Sequence, residues 1–487
     1  MANLYSISPF TGEPQFEPLA ESSSSDVDDA VVRAAEAWQA WSRLEDRVRA
    51  GALLAIASAL EDNHEQLAEL AHAETALGVE RLLGEIARTT FQLRMFATEL
   101  EAGELLQPQI DEAVPGPPPE GHPRLVRRLQ PIGPVAVFGA GNFPFAFGQL
   151  GGDTASALAA GCTVVIKDHP GHPYLALELM RVTSEALSSA GFDPGIIQSV
   201  RGMEAGVSLV EHPSICAVGF TGSQSAGRAL WDKASSRPMP IPFYGELGSA
   251  NPVFISEAAL SDDIEGLASE FVNSMTLGLG QFCTKPSLVF YAGDGTFADE
   301  VAKAVNSLPG GQLLSPSATA RYSDQVEKVT SISGVHHLSS HGDSIDGLNV
   351  TPSVMHTPLN VFLNDPKGVA EECFGPSSVL VNCSSEDDFD RVIDRLEGAL
   401  VSTIHARPDQ DGALAKRLVD RLAALSGRIV LNGWPTGLAV TAWQHHGGPY
   451  PASTSPLHTS VGLQAMMRFV RPVVLQNVDE TEWPTLA

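Results

Sequence analysis

The sequence predicts an α/β protein built as two doubly wound domains, each a parallel sheet with helices on both faces. Three observations predict it. Short apolar runs alternate with helical stretches from Val135 to Lys233, and a second region with apolar runs extends from Asn251 to Leu431; that alternation is the texture of strand–helix–strand units. The chain has 487 residues, enough for two or three cores of ordinary size. Its composition, 43% hydrophobic and 18% charged, is that of a globular protein rather than a disordered chain or a fibre.

The elements follow in order. Behind a Ser/Asp start at Ser25, the apolar positions Val27, Ala30, Val31, Ala34, Trp38 and Trp41 recur at helical spacing. Further helices are predicted over 47–60 and 80–100. Gln107 to Pro123 then holds six prolines, too many for a helix or a central strand, and reads as an exposed connector. Beyond it, apolar runs at Val135–Phe138, Thr163–Ile166 and Cys216–Phe220 read as strands. Between and after them, 148–160, 173–190 and 225–233 read as helices. In the second region, Pro252–Ile255, Leu288–Tyr291 and Arg428–Leu431 read as strands, and chemistry is expected at or near the seam between the two domains.

Charge and targeting bound the function. Fifty-eight acidic and thirty basic residues give a net charge of −28, which argues against nucleic acid or an anionic lipid surface as the main partner. Five cysteines without regular spacing make no disulfide framework. The N-terminus lacks the basic and apolar regions of a signal peptide. The uncharged stretch from Leu129 to Gly152 contains six glycines and three prolines and could not run as one lipid-facing helix. A cytoplasmic protein without membrane association is the expectation.

Several residues could carry chemistry. In the segment 217–228 (AVGFTGSQSAGR) an apolar run ends, glycines follow and a helix begins. That arrangement is either a phosphate cradle at a helix N-terminus or an ordinary glycine turn. Lys167 ends an apolar run, where a cation reaches a ribose or phosphate in the crevice or is simply solvated. Cys283 lies among small residues in GLGQFCTKP, where a thiol could ionise near Lys285 or a helix dipole, or be a buried filler. Glu246 closes an apolar segment and is either paired or desolvated with a raised pKa suited to a general base. Asn142 leaves another apolar run, where its amide could donate to an oxyanion. His169 and His172 have HxxH spacing, but Pro170 breaks any helix between them, so no metal site is expected; the same holds for His336, His337 and His341, and for His445 and His446.

Taken together, NFP at 142–144, VVIK at 164–167, GFTGS at 219–223, ELG at 246–248, GQFC at 280–283 and EECFGP at 371–376 resemble the motifs of the aldehyde dehydrogenase superfamily in their order and spacing. The resemblance covers nearly the whole chain. It implies that the Cys283 thiolate attacks an aldehyde, that Asn142 and the Cys283 backbone N–H hold the oxyanion, and that Glu246 activates the water that releases the acid. It also implies a nicotinamide cofactor. Lys167 would contact its adenosine ribose, Gly222 and Ser223 its pyrophosphate, Glu372 the nicotinamide ribose and Phe374 the ring. Phe147, Leu150, Phe282 and Thr284 would line the aldehyde tunnel. Where the family's common NAD-preferring pattern has a glutamate three residues after the lysine, this chain has Pro170, and Arg201 could add positive charge nearby. NADP is therefore favoured over NAD, with Asp168 working against it.

PIPFYGELGSANPVF, TLGLGQFCTKP and GGPYPASTSPLHTSVG resemble the subgroup of 2-oxoglutarate semialdehyde (2,5-dioxovalerate) dehydrogenases, and also NADP-dependent fatty aldehyde dehydrogenases. The first is the preferred reading, and no arginine for a distal carboxylate is identified. A CoA-acylating enzyme and a non-catalytic relative are the rivals, and Glu246 with Cys283 and Asn142 argues against both. In 123–130, Leu125 and Leu129 alternate with Arg124 and Arg128, and the segment resembles the family's projecting β-arm, which implies a homodimer or homotetramer. The implied division is 1–116 with 131–246 for the cofactor, 117–130 with 466–487 for the arm, and 247–465 for catalysis.

Overall fold

The computed structural model describes residues 2–339 and 348–478. Its front is helical. Ser23 caps the first helix, Ser24–Trp41, and exchanges bonds with Asp26, so that the apolar stripe Val27, Ala30, Val31, Ala34 and Trp41 turns inward. Asp46–Asp62 and Val79–Ala102 pack together, as expected, and a helix absent from the sequence reading, His64–Thr75, lies between them in the chain.

Behind these helices stands a five-stranded parallel sheet in the order Ile197–Val200, Val164–Lys167, Val135–Phe138, Ala217–Thr221, Phe243–Glu246. The central strands are apolar on both sides because helices cover both faces. Chain order runs outward from the middle in both directions. The crevice at the strands' carboxyl ends, where Lys167, Thr221 and Glu246 emerge, is therefore the switch point at which such sheets bind ligands.

The second sheet has seven strands in the order His336–His337, Ser353–Pro358, Ser377–Cys383, Leu288–Ala292, Val253–Ile255, Ala399–His405, Ser426–Leu431, all parallel except the first. The sequence reading found three of these. Ser353–Pro358 and Ser377–Cys383 open on serines that the sheet buries, and a hydrophobicity pattern does not mark such starts.

A third, antiparallel sheet pairs Val470–Gln476 with Leu125–Pro131, and the latter with Gln109–Asp111. The proline-rich connector thus contributes an edge strand, the one place in a sheet where neighbouring prolines are tolerated. Residues 479–487 of the predicted arm, and His341, lie outside the described residues. Among those described, no helix is long and apolar enough to cross a membrane.

Candidate active site

The site is assembled where the two parallel sheets meet. Glu246 is the last residue of the edge strand Phe243–Glu246 and bridges to Ser453 of a late segment. Cys283 lies in the loop between the helix Glu257–Thr276 and the strand Leu288–Ala292. Gly278, Leu279 and Gly280 all adopt positive φ just before it. A Cβ on Gly280 would sit 2.2 Å from the Gly375 carbonyl, so only glycine lets the cysteine loop touch the 371–376 loop backbone to backbone. Asn251 then ties the far side of the turn, donating to the carbonyls of Cys283 and Lys285, each at 2.8 Å.

A histidine stands between the two expected catalytic groups. His446 Nε2 lies 3.4 Å from Cys283 Sγ and 3.0 Å from Glu246 Oε1, while the Ser460 hydroxyl donates to Glu246 Oε2 at 3.2 Å. The sulfur, imidazole nitrogen and carboxylate oxygen all lie within 4.8 Å of one another. The sequence reading denied His445 and His446 a metal role and gave His446 no other. Its partners are 163 and 200 residues away, so no local spacing announces it.

Electrostatics separate the pair. Burial alone would raise the Glu246 pKa, but His446 foremost, then Cys283 and Ser460, hold it below its ordinary value. Of the two sequence alternatives for Glu246, pairing prevails. Cys283 moves the other way: burial and the facing Glu246 carboxylate raise its thiol well above its ordinary value. Lys285 does not hold the thiolate, contrary to the sequence reading. It is 1% exposed, and its ammonium donates to the Ser287 hydroxyl at 2.9 Å and to the Ser377 carbonyl. Burial lowers its pKa, with Cys373 and Glu372 opposing.

Asn142 follows the strand Val135–Phe138. Its side-chain amide donates to the Gln281 carbonyl at 3.0 Å, which leaves a second N–H beside Cys283's loop, and its backbone carbonyl accepts from Arg81 at 2.7 Å. Phe143, Phe147 and Phe282 form an aromatic wall: Phe143 lies 5.7 Å from Phe147 and 5.0 Å from Phe282, and Phe147 6.0 Å from His446, between ring centroids. Leu150 is elsewhere. The chain makes turns over 145–150 and the helix predicted over 148–160 starts only at Gly152, so Leu150 is 2% exposed within the first core. Thr284 is also buried and accepts the Gly437 N–H at 3.0 Å.

The residues expected to hold a nicotinamide cofactor lie along the crevice of the first sheet. Ser223 caps the helix Gln224–Ser236, and residues 222–226 are exposed, so the helix presents open amides beside the strand ends. That arrangement fits a pyrophosphate. Lys167 is half-buried next to it and Pro170 is exposed. Arg201 follows Val200, which pairs with Lys167, and its Nε lies 3.3 Å from the buried Asp168 carboxylate. On the other wall, Glu372 Oε2 would meet a Cβ on Gly248 at 2.5 Å, which links the ELG turn to the expected ribose-holding carboxylate; Phe374 is half-buried two residues on. Burial raises the Glu372 pKa, with Lys285 opposing.

A fold of two parallel α/β sheets with a cysteine, a glutamate and an asparagine amide at their seam defines a class of oxidoreductase. The chain belongs to the aldehyde dehydrogenase family, whose model matches residues 2–480. Among its relatives, alpha-ketoglutaric semialdehyde dehydrogenase 2 of Azospirillum brasilense is 39% identical over 99% of this chain and 92% of its own length. Alpha-ketoglutaric semialdehyde dehydrogenase of Acinetobacter baylyi is 36% identical over 96% and 89%. Solved structures share the fold: PnpE in complex with nicotinamide adenine dinucleotide has a TM-score of 0.82 at 24% identity, covering 98% of this chain and 95% of its own.

Proposed function

We propose that this enzyme oxidises 2-oxoglutarate semialdehyde to 2-oxoglutarate. The observation that carries the reading is near-full-length similarity, at 39% and 36% identity, to two dehydrogenases of that semialdehyde. The joined site Cys283–His446–Glu246 supplies the means.

The Cys283 sulfur adds to the aldehyde carbon, and its proton passes to the His446–Glu246 pair within hydrogen-bond reach. The free N–H of the Asn142 amide and the Cys283 backbone N–H stabilise the oxyanion that forms. A nicotinamide cofactor held by Lys167, Ser223 and Glu372 would supply the hydride acceptor for this carbon, and loss of the hydride leaves Cys283 as a thioester. Glu246, held ionised, then removes a proton from water as the water attacks the thioester carbonyl. The C–S bond breaks, the carboxylic acid leaves, the sulfur regains its proton from the His446–Glu246 pair, and the proton taken from water is released to solvent. Steady-state turnover of an aldehyde panel tests the assignment: 2-oxoglutarate semialdehyde should give the highest kcat/KM, and a higher value for hexanal rejects it.

NADP is proposed as an accepted and favoured cofactor, because Pro170 presents no carboxylate to a 2′-phosphate and Arg201 lies at the adjacent strand end. An Arg201→Ala variant with unchanged NADP affinity removes Arg201 from this account. Residues 1–116 with 131–246 are assigned to cofactor binding and 247–465 to catalysis. The antiparallel sheet around Leu125–Pro131, whose outer strand exposes Val474, is assigned to contact with a second copy of the chain. Light scattering that shows only monomer rejects that contact.

A further inference from the structure

Three arginines point their charge toward the catalytic seam, and two of them are occupied. Arg81 donates through Nη2 to the Asn142 backbone carbonyl at 2.7 Å and lies over Phe143 and Phe282; its Nη1 is buried without a hydrogen-bond partner. Arg428, close enough to Cys283 to feel its charge, donates to the carbonyls of Gly437 at 3.2 Å and Pro435 at 2.7 Å. The third is Arg88, one helical face along from Arg81 on Val79–Ala102. Its Cζ sits 5.1 Å above the Phe147 ring, and both Cys283 and Glu246 lie within its electrostatic reach. Among the described residues it has no hydrogen bond and no ion pair. Its carboxylate neighbour Glu85 is engaged elsewhere, accepting the N–H groups of Phe145 at 2.7 Å and Ala146 at 2.9 Å.

We propose that Arg88 recognises the distal carboxylate of the substrate, seating it beside Phe147 while the aldehyde end lies at Cys283. The inference rests on the reading of the substrate as 2-oxoglutarate semialdehyde and deepens it by naming what selects that chemistry. A guanidinium that packs over a ring and makes no other bond keeps N–H groups free for a two-pronged bond to a carboxylate. A half-buried cation without a partner carries a desolvation cost that an anion relieves. The demand is also set by the rest of the site. Glu246, held ionised, would repel an anionic substrate, and Arg88, which lies within reach of that charge, offsets it together with His446. A long aliphatic aldehyde does the opposite, placing a methyl end against an unpaired charge.

The experiment compares the intact wild-type enzyme with Arg88→Gln and Arg88→Lys at saturating cofactor. Three aldehydes of equal carbon count are used: 2-oxoglutarate semialdehyde, glutaric semialdehyde and uncharged pentanal. The readout is the ratio of kcat/KM for each carboxylated aldehyde to that for pentanal. In Arg88→Gln this ratio falls about 10- to 100-fold, mainly through KM, and Arg88→Lys recovers part of it. An unchanged ratio overturns the proposal, whether all substrates lose together, as for a group that only supports the thiolate or the fold, or none does. A wild-type enzyme that prefers glutaric to 2-oxoglutarate semialdehyde, with the ratio still falling in Arg88→Gln, supports Arg88 and rejects the proposed substrate. Wild-type turnover that ignores the carboxylate altogether overturns both.

Discussion

Replacing His446 by Phe removes the imidazole from between Cys283 and Glu246 while keeping a ring of similar size. Glu246 is 5% exposed and His446 3%, and the phenyl ring takes the imidazole's place without offering the carboxylate a donor. His446 is the largest influence holding the Glu246 pKa down, at 3.0 Å, against a burial effect that raises it. A hydrogen bond to a charged group contributes about 1.5–3 kcal/mol. Its loss moves the Glu246 pKa upward. Glu246 works as a base only when ionised, so activity climbs with pH through this pKa and the acid limb must shift upward by the same amount. The assay is the pH dependence of kcat at saturating aldehyde and cofactor, with thioester hydrolysis followed separately in single-turnover experiments. Ser460→Ala, which removes a neutral partner at 3.2 Å, should move the limb less. An acid limb that stays in place in His446→Phe, with activity reduced by one factor at every pH, refutes the reasoning.

Other outcomes follow from the same geometry. Because the Glu246 carboxylate raises the Cys283 thiol, Glu246→Gln should let Cys283 ionise at lower pH and react several-fold faster with iodoacetamide near neutrality; slower alkylation would mean that Glu246 acts chiefly by drawing the thiol proton. Leu150→Ala should cost about 2–5 kcal/mol in denaturant unfolding with little effect on aldehyde KM, whereas a changed KM at unchanged stability would return Leu150 to the substrate path. A thiolate, an imidazole and a carboxylate within 4.8 Å also suit zinc, so low zinc concentrations should inhibit reversibly, chelator should restore activity, and His446→Phe should be less sensitive. Full activity of the wild type in zinc contradicts this.

What could be read in advance depended on whether a residue's role is local. Both parallel sheets were legible because an apolar run such as Val135–Phe138 declares burial on two faces. The serines that open Ser377–Cys383 hid a strand from the same test. Cys283, Glu246 and Asn142 stood out because each sits in a short motif at the end of an element, and the structure brings all three to one seam. His446 was invisible because its meaning is the approach of two distant segments. Leu150 was misplaced because a helical turn was assumed where Phe145 to Leu150 makes consecutive turns, which rotates the side chain into the core. Lys285 was misread because sequence proximity to Cys283 says nothing of direction: its ammonium runs under the 371–376 loop to Ser377. Arg88 lay in a helix whose visible property was amphipathicity, and nothing in that pattern marks the arginine that packs over Phe147.

The reactive centre is delivered in instalments. Glu246 emerges with the last strand of the first sheet, Cys283 with a loop of the second, and His446 only with the segment that returns after Ser426–Leu431 and bridges back at Ser453. Until that late segment docks, an unfinished or misassembled chain has a thiol and a carboxylate but not the imidazole that joins them. Completion of the trio thereby reports that the late segment has docked, since no fragment ending before His446 can hold all three groups.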